Sequence, residues 1–153
     1  MSLNRVKDYL KKYDMDKRII EVNESTATVE LAAKALGTEE DRIAKTLSFW
    51  VDDKPILIVL SGNSKIDNQK YKSVFNTKAK MLAFDEVEPV IGHAVGGVCP
   101  FGINDGILVY FDISLKKYNT VFPACGEANT AIEISIEELE SIVPFIKWID
   151  VSK

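Results

Sequence analysis

Five consecutive apolar residues, Ile56-Leu57-Ile58-Val59-Leu60, stand between Pro55 and the turn sequence Ser61-Gly62-Asn63. A run this short and this apolar suits a strand covered on both faces, and lacks the alternation of a strand with one wet face. It therefore requires layers of structure on each side of a sheet. Ile43 to Val51 reads as a neighbouring strand, and Ile107-Leu108-Val109-Tyr110-Phe111 as another strongly apolar one. Tyr118 to Phe122 and Ala131 to Ile136 are expected as later strands.

Helices are expected between them. Leu3, Val6, Leu10 and Tyr13 recur at helical spacing among charged residues. A second helix has Thr26 or Thr28 as its N-cap, Glu30 in its first turn, Leu31-Ala32-Ala33-Leu36 as its inner stripe and Gly37 as its stop. Thr38-Glu39-Glu40-Asp41 resembles a capping box opening a short turn. Lys65 to Phe75 reads as helical, as does Asp85 to Ile91 with Asp85 as cap. Ser135-Ile136-Glu137-Glu138 opens a last helix that runs to Val143 and stops at Pro144. Helices and strands alternate irregularly, without an internal repeat. One compact α+β domain over residues 1–153 with a mixed sheet is the economical architecture. No GxGxxG follows the first strand, which disfavours a dinucleotide fold.

The net charge of −4 argues against a general nucleic-acid binder such as a DNA-binding protein. Lys65, Lys70, Lys72, Lys78 and Lys80 nonetheless form a local basic cluster that could meet phosphates. Two cysteines outside any CxxC fit a reducing cytoplasm. No segment approaches the ~18 consecutive apolar residues of a membrane span.

The chemistry concentrates in Gly92-His93-Ala94-Val95-Gly96-Gly97-Val98-Cys99-Pro100-Phe101-Gly102. Glycine is used where backbone must take φ > 0 or be approached closely, so this loop suits a small ligand held by main-chain groups. Lys45 supplies the missing charge. In a strand from Ile43, one face carries Ile43, Lys45, Leu47, Phe49 and Val51. A lysine in that register is either kept for function or snorkels to solvent. Cys99 is either a nucleophile, with His93 as its only candidate base, or a small apolar loop residue. Asp112 either borders a site or caps the Ile113-Ser114-Leu115 turn, and Asn129 either meets a ligand or turns a hairpin. One histidine without clustered partners does not make a zinc site.

Three stretches together resemble the YbaK/EbsC family, that of the prolyl-tRNA synthetase insertion domain and its free-standing relatives. They are Thr28-Val29-Glu30-Leu31-Ala32-Ala33-Lys34-Ala35-Leu36-Gly37, Ile43-Ala44-Lys45-Thr46-Leu47-Ser48-Phe49 and Val95-Gly96-Gly97-Val98-Cys99-Pro100-Phe101-Gly102. The spacing of Gly126, Ile132 and Glu133 is also similar. The resemblance implies a partly barrel-like mixed sheet with surrounding helices. It implies hydrolysis, in trans, of the ester of a mischarged tRNA, with tRNA(Pro) carrying a small amino acid as the expected substrate. The family's essential lysine falls on Lys45 and its loop on Gly96, Gly97, Val98, Cys99 and Pro100. Phe101, Ser61, Asp112, Gly126 and Asn129 complete the candidate substrate-binding set. The expected partners are the 3′ aminoacyl-adenosine end of tRNA and a prolyl-tRNA synthetase, with no cofactor, metal, membrane or DNA. Cys99 stands where a small residue such as Ser is usual. Glu127-Ala128 and Ala131 replace the Lys-Arg and acidic residue of cysteine-specific members. Alanine, serine, threonine or another small amino acid therefore stays open. Two other readings compete: an inactive module that binds tRNA 3′ ends or a synthetase, and a thiol hydrolase centred on Cys99.

Overall fold

A computed structural model of the chain describes residues 2–153. Its framework is a six-stranded mixed sheet in the order β7-β5-β2-β3-β4-β8, curled into a half-barrel. The strands are β2 (Ile43–Val51), β3 (Lys54–Ser61), β4 (Leu108–Asp112), β5 (Thr120–Pro123), β7 (Ile134–Ser135) and β8 (Trp148–Ile149). β1 (Ile20–Glu21) and β6 (Thr130–Ala131) pair separately with each other. β2 and β3 form an antiparallel hairpin that turns at Asp52-Asp53, both in left-handed conformation.

The apolar run becomes β3, held between β2 and β4. Alternation sends Leu57 and Val59 into the main core and Ile56, Ile58 and Leu60 into a second one. The main core is closed by Val6 and Leu10 of α1 (Ser2–Lys11), Val87 and Ile91 of α4 (Phe84–Ile91), and Leu139 and Ile142 of α5 (Ile136–Ile142). Tyr71 of α3 (Asn68–Phe75) covers the second with Phe49. Ala32 and Ala33 of α2 (Val29–Leu36) pack on Ile43 and Phe122 in a third.

Local signals set the element ends. Thr28 caps α2 by accepting from Leu31 N–H, and Gly37 ends it in the left-handed region. Ser135 and Glu138 cap α5 reciprocally. Several boundaries differ from the sequence expectation. Leu31 faces solvent, because α2 is short and its two alanines make the inner contact. The cap of α4 is Ala83, whose N–H donates to the Glu86 carboxylate, and Asp85 lies in the first turn. Residues 40–42 form a 3₁₀ turn with no side-chain cap. The expected 131–136 strand divides in two, since β6 pairs with β1 and β7 with β5.

Asp112 caps the 3₁₀ turn at Ile113–Lys117 and clamps the last residues of the chain. Its buried carboxylate accepts from Ser114 N–H, Val151 N–H and Ser152 Oγ–H. Removing it strands these donors at ~1–3 kcal/mol each. Asp112→Ala is therefore expected to lose about 3–5 kcal/mol of stability in urea titrations. A loss below about 1 kcal/mol would show that the clamp contributes little.

Candidate active site

β5 pairs with β2 only at Ile43 and Ala44. Farther along β2, the next contacts on that side are Leu82 N–H to Ser48 O and Lys80 O to Trp50 N–H. Ile43 O faces β3, where Gly62 N–H meets it, so strand alternation turns the N–H and C=O of Thr46 the other way. They meet no strand. Over this open edge lies a cavity of about 340 Å³. Because it sits on an edge, it takes residues from both faces of β2, among them Ile43, Lys45 and Leu47 from one and Ala44, Thr46 and Ser48 from the other.

Ala32 and Leu36 of α2, Met81, Val87 and Phe122 add apolar wall, and three further segments line the cavity as well: Thr26 to Val29, Val95 to Val98 without Gly97, and Ala124 with Thr130-Ala131. They are bound to one another. Gly126 N–H donates to Gly97 O at 2.9 Å, and Thr26 N–H donates to Ala128 O. Thr130 Oγ1 accepts from Cys125 and Glu127 N–H and donates to Glu127 O, which fixes the turn between β5 and β6. Gly97 is required by close approach, since a Cβ there would lie 2.3–2.5 Å from the Gly126–Glu127 backbone. Gly96 has φ +91°, and Ala27 and Ala128 would lie 3.1 and 3.2 Å from a Cβ on it.

Lys45 is the one charged side chain among these walls. Its Nζ donates to Gly62 O at 3.1 Å and to Ser64 O, which leaves one of its three N–H groups for a ligand. Burial pushes its pKa below the ordinary lysine value, and nearby Lys65 adds to this. The two carbonyls act in the opposite direction by holding the proton on. Thr26 and Thr46 also carry hydroxyls that are buried without a partner.

Of the other sequence candidates, Gly96 and Val98 line the cavity, and Gly97 and Gly126 stand behind it as backbone supports. Cys99 and Phe101 lie in the main core, and Pro100 faces a different groove beside Arg5 and Tyr9. Ser61 is buried at the end of β3, where its hydroxyl donates to Asp41 O and its N–H to Ser114 Oγ. Asp112 is the clamp described above. Asn129 is exposed and donates to Val22 O. The contributions of Thr26, Met81, Val87 and Phe122 carried no distinguishing mark in the sequence, because small and apolar residues look alike in a wall and in a core. Among the described residues, no three His, Cys, Asp or Glu side chains come together as a metal set would.

Cys99 Sγ is 3.6 Å from His93 Nε2, but that nitrogen donates to Phe101 O at 2.6 Å. A carbonyl only accepts, so Nε2 carries the proton and has no lone pair for the thiol. Burial also pushes the Cys99 pKa up to about 12, and that of Cys125 up as well.

An open strand edge, a glycine loop and a half-buried ammonium surround one small cavity, which has the size and mixed polarity of a small-molecule site. The comparisons agree with that class. Residues 23–142 match the family described as the aminoacyl-tRNA editing domain, and the chain belongs to that family. It is 46% identical over 154 residues to the uncharacterized protein YwhH of Bacillus subtilis, spanning all of this chain and 98% of that one. It is 33% identical over 104 residues to a proline--tRNA ligase of Shouchella clausii, covering 67% of this chain but only 18% of the ligase. A crystal structure described as that of a candidate trans-editing enzyme for prolyl tRNA synthetase superposes with a TM-score of 0.88 at 27% identity, covering 99% of this chain and 97% of that one. No described helix is long and apolar enough to cross a membrane.

Two measurements bear on the buried groups. Both cysteines are expected to resist iodoacetamide in the folded protein at about pH 8 and to react fully in urea. Rapid labelling of the native protein would reopen the thiol reading. Burial depresses the pKa of His93, the only histidine. The unfolded chain therefore takes up a proton near pH ~6.5 that the folded chain refuses. Stability should be complete above that pH and fall as pH drops below it, before the carboxylates titrate. A flat urea midpoint between about pH 7 and 5 would contradict this.

Proposed function

We propose that this chain hydrolyses the ester bond of mischarged aminoacyl-tRNA, with Lys45 as the essential cation and the Gly96-Gly97-Val98 loop as a wall of the acyl pocket. The observation that carries the reading is a half-buried ammonium on the wall of an otherwise uncharged cavity sized for a small aminoacyl group. An aminoacyl ester is already activated. Its hydrolysis needs positioning and stabilisation of the developing oxyanion more than a strong base. The free N–H of Lys45 supplies a charged donor, and the open backbone of Thr46 and the glycine loop supplies main-chain groups. Water adds to the carbonyl carbon, the carbon–oxygen bond to the terminal ribose breaks, and the ribose oxygen leaves with a proton.

Membership of the editing family and the likeness to the trans-editing structure support tRNA(Pro) as the RNA and a prolyl-tRNA synthetase as a partner. A small acyl group such as alanyl, cysteinyl or seryl suits the cavity, and residues 1–153 act as one editing domain in the cytoplasm.

The test is a panel of tRNA(Pro) charged with Ala, Cys, Ser or Pro, together with Ala-tRNA(Ala). The wild type is expected to release one small amino acid and to spare Pro-tRNA(Pro). Lys45→Ala should lower kcat/KM by about 10²–10³, the scale of losing one oxyanion donor. Unchanged deacylation by folded Lys45→Ala would remove the proposal. Salt-dependent tRNA retention without any release would mark the chain as a binding module.

A further inference from the structure

The cavity accounts for the acyl group but leaves the RNA without a platform. Phe84 is the most exposed bulky apolar side chain among the described residues, with 79% of its surface open to solvent. It is the first residue of α4, and Val87 of the same helix lines the cavity. Side chains three apart share a helix face and are separated by about 4.5 Å along the axis. The Phe84 ring therefore stands one step outward from the cavity wall. Met81, three residues earlier, and Val95 across the loop also line the cavity and are themselves exposed, at 54% and 43%. A lone exposed phenylalanine needs no explanation, but one set in sequence between two residues of a cavity wall, Met81 and Val87, does.

We propose that Phe84 is the stacking platform for the terminal base of the tRNA acceptor end, an inference that rests on the editing function above. The ester joins the amino acid directly to the terminal ribose. With the acyl group in the cavity, the attached base must emerge at the rim. Unpaired bases are recognised chiefly by stacking on aromatic side chains, which tolerates any sequence and suits an invariant end. The local charges allow it. Lys78 and Lys80 lie on the segment leading into α4 and make no ion pair among the described residues. The Glu86 carboxylate is occupied by Ala83 N–H and Trp50 Nε1–H. Asp85 and Glu88 flank the ring on the helix as acidic residues without an ion pair among the described residues, so the charge suited to a phosphate lies on the side of Lys78 and Lys80.

The experiment uses the charged tRNA(Pro) species that the wild type hydrolyses, and uncharged tRNA(Pro) ending in 2-aminopurine. Because the ring is exposed, Phe84→Ala should fold normally. It is expected to raise KM about tenfold with kcat little changed, and to abolish the fluorescence quenching of the terminal 2-aminopurine seen on binding wild type. Phe84→Trp should restore both. If Phe84→Ala matches wild type within twofold in KM and still quenches, the stacking inference is overturned while the editing function stands. If the wild type shows no Lys45-dependent hydrolysis of any species, the editing function fails and the inference falls with it.

Discussion

The backbones of Gly97 and Gly126 touch, and no side chain could stand between them. That contact joins the glycine loop to the turn after β5, and Thr26 N–H on Ala128 O brings in the segment before α2. Three pieces of chain distant in sequence become one wall. The opposite wall is β2, held by its hairpin partner β3. The cavity is the space that remains because β5 leaves β2 after Ala44. Its size depends on how closely the two glycines approach, since a Cβ on Gly97 would push the loop away from the Gly126–Glu127 backbone.

The sequence made the framework legible where one interaction dominates locally. A continuous apolar run between a proline and a glycine turn could satisfy itself only as a central strand, and β3 is that strand. Thr28, Gly37 and Ser135 announced helix ends because capping is a short-range hydrogen-bond problem. Asp85 misled because Glu86 reaches back to Ala83 N–H, a choice that depends on the path of the preceding chain. The 131–136 segment misled because which strand it joins is decided by β1 and β5, far away in sequence.

The candidate site was legible in part for the same reason. Lys45 and the glycine loop stood out because their residue types are costly or unusual in those settings. Cys99, Ser61 and Asp112 stood out equally, yet all three are held within the packed interior. Residue type shows what chemistry is available, whereas orientation is set by tertiary packing. Thr46 is the converse. Nothing distinguishes it in the sequence, but the limited reach of β5 leaves its main-chain N–H and C=O on an unpaired edge.

That edge has a consequence for how the protein behaves among other chains. Unpaired strand edges invite edge-to-edge association with other strands. Here the open stretch is short, recessed beneath Val95 and Met81, and closed at both ends by β5 and by the Lys80–Leu82 segment. A second strand cannot lie flat along it, but a single carbonyl or amine can enter. The same recess thus acts as a size filter, keeping polypeptide strands away from the unpaired main chain of Thr46.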